Sequence, residues 1–413
     1  MKETHEKQFQ AREQRIMDAI MLKKPDRIPV WGNARLFSSE RCGLSGEEIM
    51  MDLDKMLQAN YEETLYFDAD AVEMMPSLGA ILKSLEMSQM KWAGNGLPAD
   101  YNGGWQWIEK ECMVPEEYDE LIYDPTDFIV RKYWPRAYEK LSVFAKLPPW
   151  RESQGYFGAP FAFAQFGTPE GIAALDALKE AGAAALKFVT GVMGHAKRLR
   201  EAGYPMLWGG ATQPPFDFVG DFLRGRKGIM LDMFRHPEKL IKAAEKMLPM
   251  AVEMGCRGAK MSGNPRVFIA VHGGVEGFMS VEQYKKFYWP TFRELLVQLI
   301  EAGCYPFVLV EGGSTSRLEI MADVPPGKVC YWFEDVDMVK ARDTLKGKAC
   351  ICGNVPLSLA TVGTPDEVRA YCKKMIDLMG KDGGYIMSLS GSSDMVKIEN
   401  VKAMIDVTKA YGA

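Results

Sequence analysis

Five short apolar runs in the second half of the chain each end on a polar or metal-capable residue. They cover residues 266–272, 305–311, 328–334, 348–354 and 384–390. Near-continuous apolar runs of this length are typical of strands buried on both faces, as in a parallel sheet. Helical patterns separate several of the runs. The sequence therefore predicts an α/β fold, a (β/α)8 TIM barrel, in which the strand ends line one mouth and carry the chemistry.

The first half of the chain supplies the earlier elements of this alternation. Residues 27–31 and 69–74 are predicted as the first two strands, and Tyr204–Trp208 as the third. Apolar periodicity and capping residues predict helices over residues 5–23, 45–65, 171–202, 237–254, 280–302 and 400–411. We expect residues 1–413 to form a single barrel domain.

Residues 76–165 interrupt the pattern. This segment is rich in Trp, Tyr, Gly and Pro and shows no clean alternation of strands and helices. Long irregular segments in compact folds are usually functional, so we expect an insertion that caps the barrel mouth. The alternative is a peripheral subdomain or a dimer surface, and a homodimer is accordingly one expectation for the assembly.

Composition and charge narrow the class of protein. The hydrophobic fraction of 47% and the charged fraction of 25% are ordinary for a globular protein, and the net charge of −5 argues against a nucleic-acid partner. No apolar run is long enough to span a membrane, and the charged amino terminus lacks a signal core. We therefore expect a cytoplasmic protein whose eight scattered cysteines are reduced thiols.

The alternation of side chains along a strand predicts which residues share the barrel interior. Glu311, Glu334 and Cys352 are expected to point inward from neighbouring strands, with His272 beside them. Carboxylate, imidazole and thiolate together make a plausible zinc shell, and a site with three protein ligands would be catalytic. Without a metal, Glu311 or Glu334 with a raised pKa is expected to act as a general acid.

Each of these residues also has a simpler interpretation. His272, which precedes two glycines, could be a hydrogen-bonded structural histidine. An acidic residue of the 334–337 segment could cap the next helix. Cys352 could be a small core residue, or a nucleophile with His272 as its base, although no local motif supports the latter.

The predicted substrate contacts are aromatic and polar residues near strand ends. Trp31, Trp208 and Trp332 would form flat walls for a planar substrate, unless they simply pack the barrel. The further candidates for substrate binding are Arg35, Asn354 and Ser390. The chain contains no dinucleotide-binding glycine motif and no P-loop lysine pattern, which argues against nicotinamide and nucleoside-triphosphate chemistry.

Several motifs resemble the uroporphyrinogen decarboxylase superfamily. They lie at residues 27–31 (RIPVW), 287–290 (FYWP), 351–356 (ICGNVP), 363–368 (GTPDEV), 383–386 (GGYI) and 399–404 (ENVKAM). The resemblance implies a (β/α)8 barrel. True members of the decarboxylase branch carry an arginine-rich loop after strand one, whereas this chain has the single Arg35 there. Decarboxylation of a tetrapyrrole with eight carboxylates is therefore not expected.

The other branch that the resemblance brings in is the corrinoid-dependent methyltransferases. Members that methylate a thiol bind zinc through His-x-Cys at strand five and Cys at strand eight, where this chain has Leu309-Val-Glu311 and Ser388-Leu-Ser390. Glu334 does match a glutamate that such enzymes can offer at strand six. The similarity then points to the methyltransferase components of anaerobic O-demethylase systems, which pass a methyl group from a methoxylated compound to a corrinoid protein.

This resemblance implies a mechanism and two partners. The partners are a small-molecule methyl donor, for which a methoxyarene is expected, and a separate protein that carries the cobalamin or another corrinoid. Zinc or a carboxylic acid at the ether oxygen would stabilise the charge that develops there as the methyl group leaves. Two alternatives stand beside this reading: a metal-independent decarboxylase of a small carboxylate, clamped by Arg35 and Arg317, and a non-catalytic scaffold that binds a corrinoid protein.

Overall fold

The computed structural model describes residues 2–32, 41–74, 77–101, 104–391 and 396–412. Strands occur at Met90–Ala93, Gly96–Leu97, Trp105–Trp107, Gly210–Thr212, Arg266–Val271, Tyr305–Gly313, Cys330–Asp335, Cys350–Cys352 and Tyr385–Ile386. The α-helices of four or more residues are Lys2–Ile20, Gly46–Met51, Leu53–Phe67, Gly79–Ser84, Tyr118–Tyr123, Pro125–Phe128, Trp134–Ala137, Gly155–Ala164, Pro169–Glu201, Gly225–Arg235, Pro237–Ser262, Trp289–Glu301, Leu318–Met321, Met338–Leu345, Leu357–Val362, Pro365–Met379 and Ile398–Tyr411. None of these described helices is both long and apolar enough to cross a membrane.

The last six strands form one parallel sheet in the order in which they follow one another along the chain. Helices connect the successive strands, so each chain reversal through a helix brings the next strand back parallel to the one before it. Two further backbone segments close the sheet into a ring. Val30 makes a parallel bridge to Met387, which directly follows the last strand of the sheet, Tyr385–Ile386. Val72 makes a parallel bridge to Met206, which precedes the first strand of the sheet, Gly210–Thr212. Because Asp70 N–H also donates to the carbonyl of Val30 at 2.8 Å, all eight positions of a (β/α)8 barrel are joined.

A buried carboxylate holds the two short segments together. Asp70, which is only 1% exposed, accepts hydrogen bonds from Arg15 and Arg27 at 2.7 Å and from the backbone N–H of Val30 at 2.9 Å. Two guanidinium groups and an amide satisfy this carboxylate, which would otherwise be costly to bury. The first helix and the first two barrel segments therefore meet at one side chain.

Strand parity divides the barrel residues between two apolar layers. Phe307, Leu309, Trp332 and Cys352 pack together in the barrel interior. The residues between them along each strand pack outward against the helices, among them Val308, Val310, Tyr331, Phe333 and Ile351. The co-facial sets predicted from the sequence are thus confirmed for these strands.

Some predicted elements have other bounds in the structure, and two of them are informative. The continuous third strand lies at Gly210–Thr212, whereas the predicted segment Tyr204–Trp208 joins the barrel through the bridge between Met206 and Val72. A Cβ at Gly210 would come within 2.6 Å of the carbonyl of Gly255, so the strand needs glycine where it touches a helix, and the apolar pattern is broken there. The helix expected over residues 45–65 is two helices, divided at Asp52, whose side chain caps Lys55 N–H at 3.1 Å.

The segment predicted as an insertion contains a small sheet and several short helices. Its central strand, Met90–Ala93, pairs with Gly96–Leu97 and with Trp105–Trp107. The segment packs on the chain that follows the third barrel strand: Trp107 contacts Phe222 with ring centroids 5.5 Å apart. The buried Arg224 binds Asp232 at 2.5 Å and also the carbonyl of Met113. These contacts attach the insertion to the carboxyl-terminal side of the barrel sheet.

Candidate functional site at the barrel mouth

Two carboxylates and an imidazole lie in one layer at the carboxyl ends of three neighbouring strands. The register pairs Ala270 with Leu309, so His272 and Glu311 follow at the same level. His272 Nε2 lies 3.6 Å from a carboxylate oxygen of Glu311. Glu334 opposes Glu311 on the next strand. The structure therefore brings together three of the four residues that the sequence proposed as metal ligands.

His272 is oriented by a second carboxylate. Its Nδ1 donates to Asp221 at 2.6 Å, and Asp221 also pairs with Arg226 at 3.2 Å. Burial alone would lower the pKa of His272, but the hydrogen bond to Asp221 and the charges of Asp217, Asp221 and Glu311 outweigh it and raise the pKa to about 9. The imidazole is therefore a cation at neutral pH, with its Nε2–H facing Glu311.

Asp217 fixes the backbone beside this histidine. Its carboxylate accepts the N–H groups of His272 at 3.0 Å and Gly273 at 2.8 Å, and the hydroxyl of Tyr288 at 2.7 Å. Burial, followed by the charge of Asp221, raises the pKa of Asp217 to about 6. Asp221 and Tyr288 both lie in π-helical turns, which are frequent at functional sites.

Asp217, Asp221 and Tyr288 are site residues that were not predicted from the sequence. A signal was present, because the two aspartates are four residues apart just after the third strand, and Tyr288 lies in the FYWP motif. Four-residue spacing places side chains on the same helical face, and a segment that follows a barrel strand borders the mouth.

A β-bulge shapes the surroundings of Glu334. Val310 pairs with Phe333 and Gly313 with Asp335, so Glu311 and Gly312 together oppose Glu334. Gly312, at φ +83°, donates its N–H to Oε2 of Glu334 at 2.5 Å. Burial raises the pKa of Glu334 against this hydrogen bond, and the charges of Glu311 and Asp335 raise it further.

The other carboxylate oxygen of Glu334 lies beside a glycine. A Cβ at Gly391 would stand 3.3 Å from Oε1, so glycine there keeps the space next to this oxygen open. The helix after this strand is capped by Asp337, which accepts the N–H groups of Val339 and Lys340. Glu334 is therefore not needed as a cap, and within the described part of the chain no hydrogen bond occupies Oε1.

The described residues do not fit a zinc shell. No group of three or more His, Cys, Asp or Glu side chains in the described part of the chain is arranged to hold a metal ion. Cys352 pairs with Trp332, two residues before Glu334, and so lies about 7 Å deeper along the barrel. Its sulfur accepts the indole N–H of Trp31 at 3.3 Å. The structure thus separates Cys352 from the other three proposed ligands.

The tryptophans proposed as substrate walls do not line this mouth. Trp31 and Trp332 are buried in the barrel interior, with ring centroids 4.8 Å apart, and Trp332 donates to the carbonyl of Leu389. Trp208 lies at the opposite, amino-terminal end. There it borders a cavity of about 520 Å³, together with Asn264 and Pro265, which precede a barrel strand. Packing against neighbouring apolar side chains accounts for all three positions.

The remaining proposed substrate contacts are placed as follows. Asn354 and Ser390 are almost fully buried near the strand ends; Asn354 accepts the hydroxyl of Tyr371 at 3.2 Å, and Ser390 accepts Leu357 N–H at 3.3 Å. Arg35 lies outside the described residues. Arg317 is 2% exposed and donates to the carbonyls of Gly274 and Met279, so its guanidinium is held by the protein and does not face the mouth.

Comparisons with known proteins agree with this architecture. The family model described as uroporphyrinogen decarboxylase matches residues 158–411, more than half of the chain. Among solved structures, a methyltransferase from Methanosarcina mazei superposes with a TM-score of 0.63 at 14% identity, over 97% of this chain and 99% of that one. At this identity the likeness concerns the fold. No curated protein matches the sequence.

Proposed function

Because the chain belongs to the uroporphyrinogen decarboxylase family, with a barrel similar to that of a methyltransferase, we propose that it is a methyltransferase of this family. The methyl donor is a methoxylated compound, most simply a methoxyarene, and the acceptor is the cobalt of a corrinoid held by a separate protein. The observation that carries the proposal is the acidic layer at the mouth: Glu334, with a raised pKa, beside Glu311 and the cationic His272.

The chemistry requires a proton at the ether oxygen. When the bond between oxygen and methyl breaks, the methyl group passes to the acceptor and the electron pair stays on oxygen. A phenolate is a poor leaving group, so protonation or a strong hydrogen bond there lowers the barrier. The corrinoid, when bound, supplies the nucleophilic metal. All other steps fall to side chains of this protein.

We assign the proton donor to Glu334. Its Oε2 is held by Gly312, so Oε1 can face a substrate beside Gly391. Burial and the neighbouring charges of Glu311 and Asp335 favour its protonated form. Glu311 and His272 form the adjoining pair, in which the imidazolium balances the carboxylate and can return a proton to the layer after turnover. Among the described residues no three His, Cys, Asp or Glu side chains are arranged to hold a metal ion, so the proposed steps use none from this chain.

Two other functions find less support. A decarboxylase for a small carboxylate would need a cation at the mouth that is free to bind it. The guanidinium of Arg317 is held by backbone carbonyls, and the cationic His272 is already paired with the carboxylates of Asp221 and Glu311. A non-catalytic scaffold would have no use for a partly buried Glu334 whose charged form is disfavoured.

The experiment measures release of the demethylated phenol, catechol from guaiacol and a hydroxymethoxybenzoate from veratrate, with cobalt(I) cobalamin as the free acceptor and anaerobically purified protein. Wild type is expected to release these products as the cobalamin is methylated. Glu334→Gln should reduce the rate by about 10²–10⁴-fold, the usual contribution of a general acid. Glu282→Gln is the control, because the side chain of Glu282 is 82% exposed and pairs with Lys285 on the surface. Near-normal turnover of Glu334→Gln would show that Glu334 is not the proton donor. No product from any methoxyarene would show that methoxyarenes are not the substrates.

A further inference from the structure

One surface segment exposes far more aromatic area than a folded monomer usually does. The helix Gly155–Ala164 has the sequence GYFGAPFAFA and carries no charged residue. Four of its rings face outward: Tyr156 is 81% exposed, Phe157 77%, Phe161 77% and Phe163 53%. We call these four rings the aromatic patch. Contiguous apolar patches of this kind mark interaction surfaces, whereas scattered exposed residues do not.

The patch stands at the end of a long projecting helix. Pro169–Glu201 follows it after a short turn and has 33 residues, so it is about 50 Å long. Its carboxyl-terminal residues, including Ala196 and Arg200, border the cavity at the amino-terminal end of the barrel. A barrel strand of six residues spans only about 20 Å. The amino-terminal half of the helix therefore extends past the barrel and carries the patch outward.

This projecting half is anchored on one side only. Ala174 packs with Leu141, Phe144 and Leu147 of the insertion. On its other faces Ile172 is 52% exposed and Leu175 43%. The beginning of the long helix thus presents further exposed apolar side chains close to the patch in the sequence.

We propose that the aromatic patch is a homodimer interface, in which the patches of two copies of this chain pack against each other around a two-fold axis. A two-fold contact uses the same surface on both copies, and an apolar surface without charge is complementary to itself. An aromatic side chain buries about 150–250 Å². Covering the four rings on both copies therefore removes on the order of 1,000 Å², the area at which specific interfaces begin, and Ile172 and Leu175 add to it.

Sedimentation velocity of the whole protein tests this directly, from about 1 to about 100 µM, the range that brackets a micromolar Kd. Wild type should sediment as a dimer. Phe157→Ser and Phe161→Ser should each weaken dimerisation, and the double variant should weaken it by at least about 100-fold. The matched control is Phe234→Ser, because Phe234 is 75% exposed but lies on another helix. It should leave the dimer unchanged.

Two results would overturn the proposal. One is a wild type that stays monomeric over the whole range; the other is a double variant that is as dimeric as wild type. Because the substituted rings are exposed, all variants should keep the melting temperature of the monomer fold. Monomeric wild type that cosediments with phosphatidylglycerol vesicles, and loses this binding in the double variant, would assign the patch to a lipid surface instead. The result is independent of the proposed activity.

Discussion

Gly312 donates its backbone N–H to Glu334 across two neighbouring strands, from the bulge at Glu311–Gly312 in which its φ is +83°. The extra residue turns an amide that would otherwise join the sheet ladder toward the carboxylate. One backbone irregularity thus places the acid and leaves its second oxygen open.

We expect Gly312→Ala to lower activity more than its cost in stability explains. An L side chain at this φ costs about 1–2 kcal/mol of folding free energy and pulls the N–H away from Glu334. The matched control is Gly347→Ala, at φ +71°, where an added Cβ meets nothing within 4 Å. Urea unfolding should show similar losses for both variants, and phenol release should fall for Gly312→Ala alone. Equal activity in the two variants would show that the bulge at Glu311–Gly312 does not contribute to catalysis.

His272 should titrate well above an ordinary histidine. The pKa of about 9 is held up mainly by Asp221, against the effect of burial, so Asp221→Asn should lower it by at least about one pH unit. NMR titration of the imidazole measures this. The exposed Asp343, paired with Arg342, supplies the control variant Asp343→Asn, which should not move the titration. An unchanged pKa in Asp221→Asn would show that the hydrogen bond does not set the charge.

The same shift predicts how stability depends on pH. A raised folded-state pKa means that the contribution of the charged imidazole is complete below its unfolded value of about 6.5 and is lost as pH rises through about 9. The difference in unfolding free energy between wild type and Asp221→Asn should therefore shrink between pH 6.5 and about pH 10. Chemical denaturation at several pH values measures it, and a difference that grows over this window would contradict the assignment.

Asp70 should be among the most sensitive positions in the fold. Asp70→Ala would leave Arg15, which is almost fully buried, with one carboxylate partner fewer and would free Val30 N–H, at an expected cost of about 3–5 kcal/mol. Asp382→Ala removes an exposed pair with Lys346 and should cost less than about 1 kcal/mol. Guanidinium unfolding compares the two, and a similar small loss in both would mean that this buried cluster does not hold the barrel closed.

We expect the purified protein to retain no stoichiometric zinc, because the described side chains gather no suitable ligand set. Mass spectrometry of the metal content should give the same low value for wild type and Glu311→Ala. Stoichiometric zinc in wild type that disappears in Glu311→Ala would show that the mouth rearranges into a metal site and would restore the metal-assisted route.

Much of the barrel could be predicted from the sequence because strand parity is a local property. Phe307, Leu309 and Trp332 were expected to share the interior, and they do. The continuous part of the third strand begins later than predicted because glycines at 209 and 210, which let a helix approach, interrupt the apolar run. That requirement depends on a contact between distant parts of the chain, which a local pattern does not contain.

The site was predictable only in part for a similar reason. The alternation of side chains along a strand predicts which face of the sheet a residue lies on, and it correctly placed Cys352 in the barrel interior. How far a residue lies from the mouth depends instead on the register between strands. That register places Cys352 beside Trp332 and below Glu334. Asp221 reaches His272 from a π-helical turn 51 residues earlier, and no periodicity in the sequence announces such a contact.

Three neighbouring strands each contribute one residue to the layer at the mouth. The residues that precede this layer along each strand already complete the core. His272, Glu311 and Glu334 come from three strands whose interior positions are filled independently of them. A substitution in this layer alters the available chemistry while leaving the folding information in the rest of the strand intact. The catalytic side chains at the mouth can therefore be substituted one at a time without loss of the barrel fold. Such substitutions allow the type of reaction to change while the architecture stays the same.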